Sequence, residues 1–528
     1  MKTQLLPLFV LSLILLFALH KSCSAIDNNT ITVTQSLVDS GTITSPDETF
    51  KLGFFSPSDS SSRYVGIWYN KIEDQTVVWV ANKENPIKDS SGVLSIVKDG
   101  NLVVLDGQGM VLWSTNLTNV ASNNTMEAEL LDTGNLVLRD AEDDKKIVWE
   151  SFENPGDTFL PTMRMGGSRR TGKRLGLTSW KSESNPSSGM FYNGLELTDI
   201  PQLVIWNGTK RHWRSGPWNN KNFIGIPSMP SAYSNGFFIG KADPEDDVYL
   251  SFEFTDNSVR RFALSHLGET FGEVLTENKW KRFWSTHKYE ECDVYGKCGP
   301  FGSCNILEST ICSCLRGYTP RSQDEWSKGN WSGGCLKKSK LKCERNETGN
   351  GKEDGFVTMN NMKVPDFANW LGSSLDVERC EQACLNNCSC LAYWHDSGVG
   401  CLTWGGNLVD ISKFSEGGVD LNIRVAYSEL DRKKNTTEII IATVLIGAFV
   451  IGVCTYLCWR WMTTRKGKQK KDVEISLFQK DNESSDPNML TADNPDLKFF
   501  KFESLAIATN NYGGANKLGA GGFGPVYK

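Results

Sequence analysis

Two uncharged apolar runs interrupt the chain, Leu5 to Leu19 and Ile439 to Trp459, and between them hydrophobic residues come in short bursts. The bursts are rich in Val, Ile, Leu, Phe, Trp and Tyr and are bounded by Gly, Asn, Asp, Ser and Pro clusters. In DGNLVVL (Asp99 to Leu105) and TGNLVLR (Thr133 to Arg139) a turn former leads directly into such a burst. This pattern predicts tight turns and short β-strands. Helical spacing is rare. DVERCEQACLNN sets Cys380 and Cys384 on one helical face, and Phe502, Leu505, Ala506 and Ala508 mark a short helix before a turn at Tyr512 to Ala515.

The first apolar run follows Lys2 and leads to small residues at Cys23 and Ala25, the form of a secretory signal peptide, which puts the mature start near Ile26. The second run, 439–459, is long enough at ~1.5 Å per residue to cross a hydrocarbon core of ~30 Å. Behind it Arg460, Arg465, Lys466, Lys468, Lys470 and Lys471 come without an acid, whereas Arg432, Lys433 and Lys434 in front are offset by Glu429, Asp431 and Glu438. The positive-inside rule then predicts a single-pass type I protein of the plasma membrane, N-terminus outside.

At 528 residues the length suggests roughly three to five domains. The net charge of -6 excludes the broad basic face that nucleic-acid binding needs. Of 15 cysteines, Cys23 lies in the signal and Cys454 and Cys458 in the span, leaving an even twelve outside, which fits six disulfides in an oxidising compartment. Sequons at Asn28, Asn116, Asn123, Asn207, Asn330, Asn346 and Asn435 all fall on that outer side.

An internal repeat runs through 26–150: VWVAN, LWSTN and VWESF place tryptophans at 79, 113 and 149, and Asn101 and Asn135 are again 34 apart. Three short-stranded sheets around a tryptophan core are expected. The repeat resembles the bulb-type mannose-binding lectin domain, a β-prism whose sugar motif runs Q-x-D-x-N-x-V-x-Y. Its best match here is Val97, Asp99, Asn101, Val103 and Leu105. The resemblance implies that Asp99 and Asn101 meet sugar hydroxyls; the residues themselves equally suit a turn before a strand. With Val97 and Leu105 in place of Gln and Tyr, weak or absent mannose binding is expected.

From 151 to 285 the β-like pattern continues. WESFENPGDTFLP, LTSWKSESNPSSG and WRSGPWNN resemble the S-locus glycoprotein domain, with Trp149, Trp180, Trp213 and Trp218 read as core. Two sets of six cysteines follow. Cys292, Cys298, Cys304, Cys312, Cys314 and Cys335 (module 286–335) resemble an EGF-like module, with a long gap before the last. That resemblance implies pairing of Cys292 with Cys304, Cys298 with Cys312 and Cys314 with Cys335. Cys343, Cys380, Cys384, Cys388, Cys390 and Cys401 (module 343–427) resemble a PAN/apple domain, and each set is expected to close on itself. Zinc binding by the close cysteines is the alternative that an oxidising compartment disfavours, so no metal is expected. His212, His266, His287 and His395 lie in no catalytic or metal-spaced context.

After a juxtamembrane linker over 460–500, the chain reaches KLGAGGFGPVYK. Gly519, Gly521, Gly524 and Val526 satisfy G-x-G-x-x-G-x-V, the loop that folds over ATP phosphates in protein kinases. With ATNNY before it and GPVYK as its end, the stretch 501–528 resembles the start of a plant receptor serine/threonine kinase domain. The phosphate-pairing lysine, the H-R-D loop and the D-F-G motif do not occur, so ATP and magnesium are expected only in a complete kinase, and neither a cofactor nor a catalytic residue in this chain.

Taken in order, these segments resemble a plant S-domain (G-type lectin) receptor-like serine/threonine kinase cut at the kinase start. The expected architecture is a mainly β ectodomain of β-prism lectin-type, EGF-like and PAN/apple modules, one membrane helix and an incomplete kinase N-lobe. The resemblance implies an extracellular ligand, glycan or peptide, and pairing as a homodimer or with related receptor kinases. A kinase-lacking receptor or decoy is the alternative.

Overall fold

The computed structural model describes residues 29–430, 436–466 and 501–528, apart from 73, 119–124, 144–145, 230–235, 243–246, 257, 288–289, 346–351 and 523. The signal run, most of the linker and the sequons at Asn28, Asn123, Asn346 and Asn435 lie outside the described residues. Contacts divide the chain into two units, 1–432 and 433–528.

The first three strands, Thr30–Thr32, Leu37–Val38 and Thr42–Thr44, each enter a different sheet as its edge. Three antiparallel strands complete each sheet: Phe50–Phe55, Tyr64–Tyr69 and Val77–Val80; Val93–Ile96, Leu102–Leu105 and Val111–Ser114; Met126–Leu130, Leu136–Asp140 and Ile147–Glu150. No sheet of this size buries both faces alone, so the three fold inward as a prism. Trp79, Trp113 and Trp149 come from the last strand of each sheet and meet edge-on, with ring centroids 5.6 to 5.9 Å apart. Edge-on contact suits the quadrupoles of three rings at one axis.

The same weave repeats. Thr158–Phe159, Met165–Ser168 and Arg174–Ser182 enter three further sheets in turn. The first is completed by Arg260–Leu264, Thr270–Thr276 and Lys279–Ser285, the second by Asp247–Phe252 and Phe237–Ala242, and the third by Asn185–Glu196, Gln202–Asn207 and Lys210–Arg214. Residues 151–285 are thus a second prism. Its second and third sheets are hydrogen-bonded into one seven-stranded sheet where Met165–Ser168 pairs with Arg174–Ser182 at Gly166 and Gly167, and a Cβ there would lie 2.0 Å from the carbonyl oxygens of Val248 and Lys173. Only glycine admits that approach.

A recurrent device ties the sheets. Two residues after the last-strand tryptophan, a hydroxyl accepts a hydrogen bond from the backbone N–H that starts the preceding strand. Thr115 takes Leu102 at 3.2 Å, Ser151 takes Leu136 at 2.9 Å, Ser215 takes Leu203 at 2.9 Å and Thr286 takes Thr270 at 3.0 Å. In the remaining sheet of the first prism, Asn82 Oδ1 accepts from Val65 N at 2.8 Å. These groups are buried, so each bond satisfies a strand-end donor that water does not reach.

The two cysteine sets share one eight-stranded sheet, joined where Gly302–Cys304 runs parallel to Ile411–Lys413. Helix Val377–Asn386, capped by Asp376 accepting from Arg379 N, presents Cys380 and Cys384 inward. Disulfides join Cys292–Cys304, Cys298–Cys312 and Cys314–Cys335, then Cys343–Cys388, Cys380–Cys401 and Cys384–Cys390. None crosses between the sets, and none of the twelve is left as a thiol for a metal.

Arg214 leaves the edge strand Lys210–Arg214 of the second prism and enters this third body with no exposed surface. Its Nε lies 2.7 Å from Asp410 Oδ2, which also faces Lys363 Nζ at 2.8 Å, and its terminal nitrogens donate to the carbonyls of Val364 and Asp410. Beside it Asp366 accepts from Gln202 at 2.9 Å and from Tyr295 Oη at 2.7 Å, while Arg211 lies 3.3 Å away. Gly296 N donates to Asp410 at 3.0 Å. The prism, the first cysteine set and the second are all fixed to one charge cluster.

In the second unit, helix Thr436–Lys466 carries an apolar stretch, Val444–Met462, whose side chains have no protein cover. The helix passes residue 459, where the sequence places the end of the span, and runs on through Lys466. Helix Phe502–Ala508 and a hairpin of Lys517–Gly521 with Gly524–Tyr527 complete the described residues.

Two predictions follow from the junction. Asp410→Ala strands Lys363 as a buried, uncompensated cation, leaves Arg214 only Asp366 at 4.0 Å, and should cost about 3–5 kcal/mol, read as a lower denaturation midpoint. Burial pushes the carboxyls of Asp366 and Asp410 upward, but Arg214 with Arg211 and Lys363 with Arg214 outweigh it and hold both below their ordinary value. Their stabilisation is complete above the unfolded aspartate pKa of ~3.9 and is lost as pH falls through the folded values. Melting temperatures should therefore drop steeply below about pH 4, and Asp366→Asn should flatten that drop.

Candidate functional site

Asp99 and Asn101 flank the turn before Leu102–Leu105. Asp99 is exposed, and its Oδ1 accepts from Asn101 N at 3.0 Å, which leaves Oδ2 open to solvent. Asn101 is buried at 6% exposure. Its Oδ1 accepts from Thr115 Oγ1 at 2.8 Å and Leu117 N at 2.7 Å, and its Nδ2 donates to Leu117 O at 3.4 Å. One amide hydrogen is all that Asn101 retains for a ligand.

The copy at Thr133 and Asn135 is built alike. Asn135 Oδ1 accepts from Ser151 Oγ at 2.9 Å and Phe152 N at 3.1 Å, and its Nδ2 donates to Glu150 at 2.6 Å. Both asparagines thus orient the hydroxyl that staples their sheet. Val97 and Leu105 add no polar atom beside Asp99, so the turn offers one carboxylate oxygen to a sugar where the lectin motif offers four polar side chains.

Three sequon asparagines are described. Asn116, Asn207 and Asn330 are all exposed, at a turn after a strand, at a strand end and after the helix Gln323–Ser327. Of the tryptophans read as core, Trp213 and Trp218 are each 5% exposed. His212 packs against Phe191 and His287, and burial lowers its pKa. It has no carboxylate partner that would make it a base.

In the glycine-rich hairpin Gly519 pairs with Val526 and Gly521 with Gly524, whose φ of +117° suits glycine. A Cβ at Gly519, Gly521 or Gly524 would meet nothing within 4 Å, so no neighbour crowds the glycines. Tyr512 rests between Phe502 and Tyr527, with centroids 5.8 and 5.3 Å away. Glu503 is the one carboxylate side chain between 501 and 528.

The described residues thus comprise a woven pair of prisms, a disulfide-stapled third body and one uncovered apolar helix long enough to cross a membrane. Residues 76–181 match the D-mannose binding lectin family, 213–322 the S-locus glycoprotein domain and 343–411 the PAN-like domain. A G-type lectin S-receptor-like serine/threonine-protein kinase of Arabidopsis thaliana is 44% identical over 500 residues, 93% of this chain and 60% of its own length. The Arabidopsis thaliana relative SD1-13 is 41% identical over 99% of this chain and 63% of its length, and SD1-8 is 38% identical over 98% and 62%. Over what it spans, the chain is similar to the G-type lectin S-receptor-like kinases. It spans about three fifths of these relatives' length.

Asn101→Ala should lower stability by about 1–3 kcal/mol, because Thr115 and Leu117 lose a buried acceptor. Mannose titration of the same protein by calorimetry should show little or no heat before or after the change. Tight binding abolished by Asn101→Ala with an unchanged melting temperature would refute the structural role.

Proposed function

We propose that the chain is the receptor portion of a single-pass plasma-membrane S-domain receptor-like serine/threonine kinase. Modules 26–150, 151–285, 286–335 and 343–427 recognise an extracellular ligand and bring receptors together as homodimers or with related kinases. In a protein that carries the remaining kinase elements, Gly519, Gly521, Gly524 and Val526 cover ATP phosphates and the cytosolic side phosphorylates serine or threonine. The order of three family matches ahead of one uncovered apolar helix and a kinase-type hairpin is the observation that carries this reading.

Expression in plant cells tests it. Asn116→Gln, Asn207→Gln and Asn330→Gln are each expected to remove one glycan, read as a gel-mobility step. Protease added to intact cells should cleave the ectodomain and spare an epitope fused after Lys528. An epitope cleaved from outside refutes the topology. Transcript reads that continue from Lys528 into an A-V-K strand support the kinase assignment, and a stop codon there overturns it.

A further inference from the structure

The axis of the second prism is hollow. A cavity of about 610 Å³ lies among its three sheets, walled by Phe159, Phe237, Phe262, Trp213 and Trp284. The axis of the first prism is instead filled by Trp79, Trp113 and Trp149, with ring centroids 5.6 to 5.9 Å apart. The difference has a sequence cause. The first prism closes its axis with a tryptophan from each sheet. In the second, Trp213 and Trp284 meet edge-on at 6.3 Å, but the sheet of Met165–Ser168, Phe237–Ala242 and Asp247–Phe252 contains no tryptophan. An unfilled apolar volume of this size costs stability unless something occupies it, and it falls within the range of small-molecule sites.

One wall carries an unanswered polar group. Asn193, at 3% exposure, donates from Nδ2 to Thr270 Oγ1 at 2.9 Å, while its Oδ1 is buried with no partner. Asn101 and Asn135, the buried asparagines of the first prism's turns, each spend that oxygen on two donors. A buried acceptor without a donor is costly, and this one lines the cavity. At the rim Arg260 is paired with Asp256 at 2.5 Å and Arg282 with Glu269 at 2.9 Å, so no free cation waits for an anion. Arg260 Nε, also without a hydrogen-bond acceptor, adds a single donor there.

The geometry points to a binding site in the second prism for a neutral, largely apolar small molecule that carries a hydroxyl or amide N–H. The apolar body fills the missing tryptophan's place, the donor reaches Asn193 Oδ1, and Arg260 Nε meets an acceptor at the rim. The inference rests on the cavity, and the receptor reading is independent of it.

The test uses the full chain in lipid nanodiscs, with 2-naphthol as probe and its methyl ether, 2-methoxynaphthalene, as the matched compound without a donor. Equilibrium dialysis against empty nanodiscs measures retention of each. One 2-naphthol per chain is expected, with the ether about three- to tenfold weaker, the range for one hydrogen bond. Asn193→Leu should erase that preference, and Met165→Trp, which fills the cavity, should abolish retention of both. The probe pair on the unaltered protein and Met165→Trp remain decisive if Asn193→Leu does not fold. Retention no greater than in empty nanodiscs overturns the proposal, as does equal retention of the two probes or undiminished retention by Met165→Trp.

Discussion

A guanidinium shut away from water must be neutralised where it lies, and Arg214 is shut away completely. Asp410 answers it from the second cysteine set, Gln202 holds Asp366 beside it, and Tyr295 and Gly296 close the cluster from the first set. Rotating the prism against either set would part charges that have no solvent to fall back on. The relative orientation of the three bodies is therefore a requirement of electrostatics more than of contact area. Buried ion pairs are weak sources of net stability but strong sources of specificity in how parts are registered.

The strand that carries Arg214 faces two ways because alternate residues of a strand point to opposite sides. Trp213 looks into the cavity of the second prism, Arg214 into the junction, and Ser215 staples the sheet. Three consecutive residues thus join the packing of the prism to the placement of the modules that follow. Whatever sits against Trp213 sits one residue from the charge that orients the rest of the ectodomain.

Much of this was legible in the sequence, and the reason is local. Turn formers before strands, tryptophans 34 and 36 apart and cysteine spacing are short-range signals. The second prism was less legible: 151–285 reads only as β-rich, and W-x-S/T, which marks Trp113, Trp149, Trp213 and Trp284, also occurs at Trp180, where no staple forms among the described residues. The junction was not legible. Arg214 and Asp410 are 196 residues apart, and nothing near either one says that it is buried. Asn193 is hidden for a related cause, since only the folded prism shows that its oxygen lacks the donors that Asn101 and Asn135 possess.

The asparagines after the turns show how one residue type serves two ends. In a lectin site an asparagine must keep hydrogen-bonding capacity for sugar, yet Asn101 and Asn135 spend theirs on the strand that follows. A prism can lose its outer sugar contacts and keep its fold because the stapling oxygen faces inward while Asp99 faces out. The second prism inverts that balance. Its stapling hydroxyls at Ser215 and Thr286 follow Gln202 and Glu269 in place of the asparagine, and a different asparagine, Asn193 within a strand, lines the axis with a buried oxygen that has no donor. Recognition can then move from the rim of one prism to the interior of the next without any change in strand topology, since the weave depends on backbone pairing and the axis only on which side chains fill it.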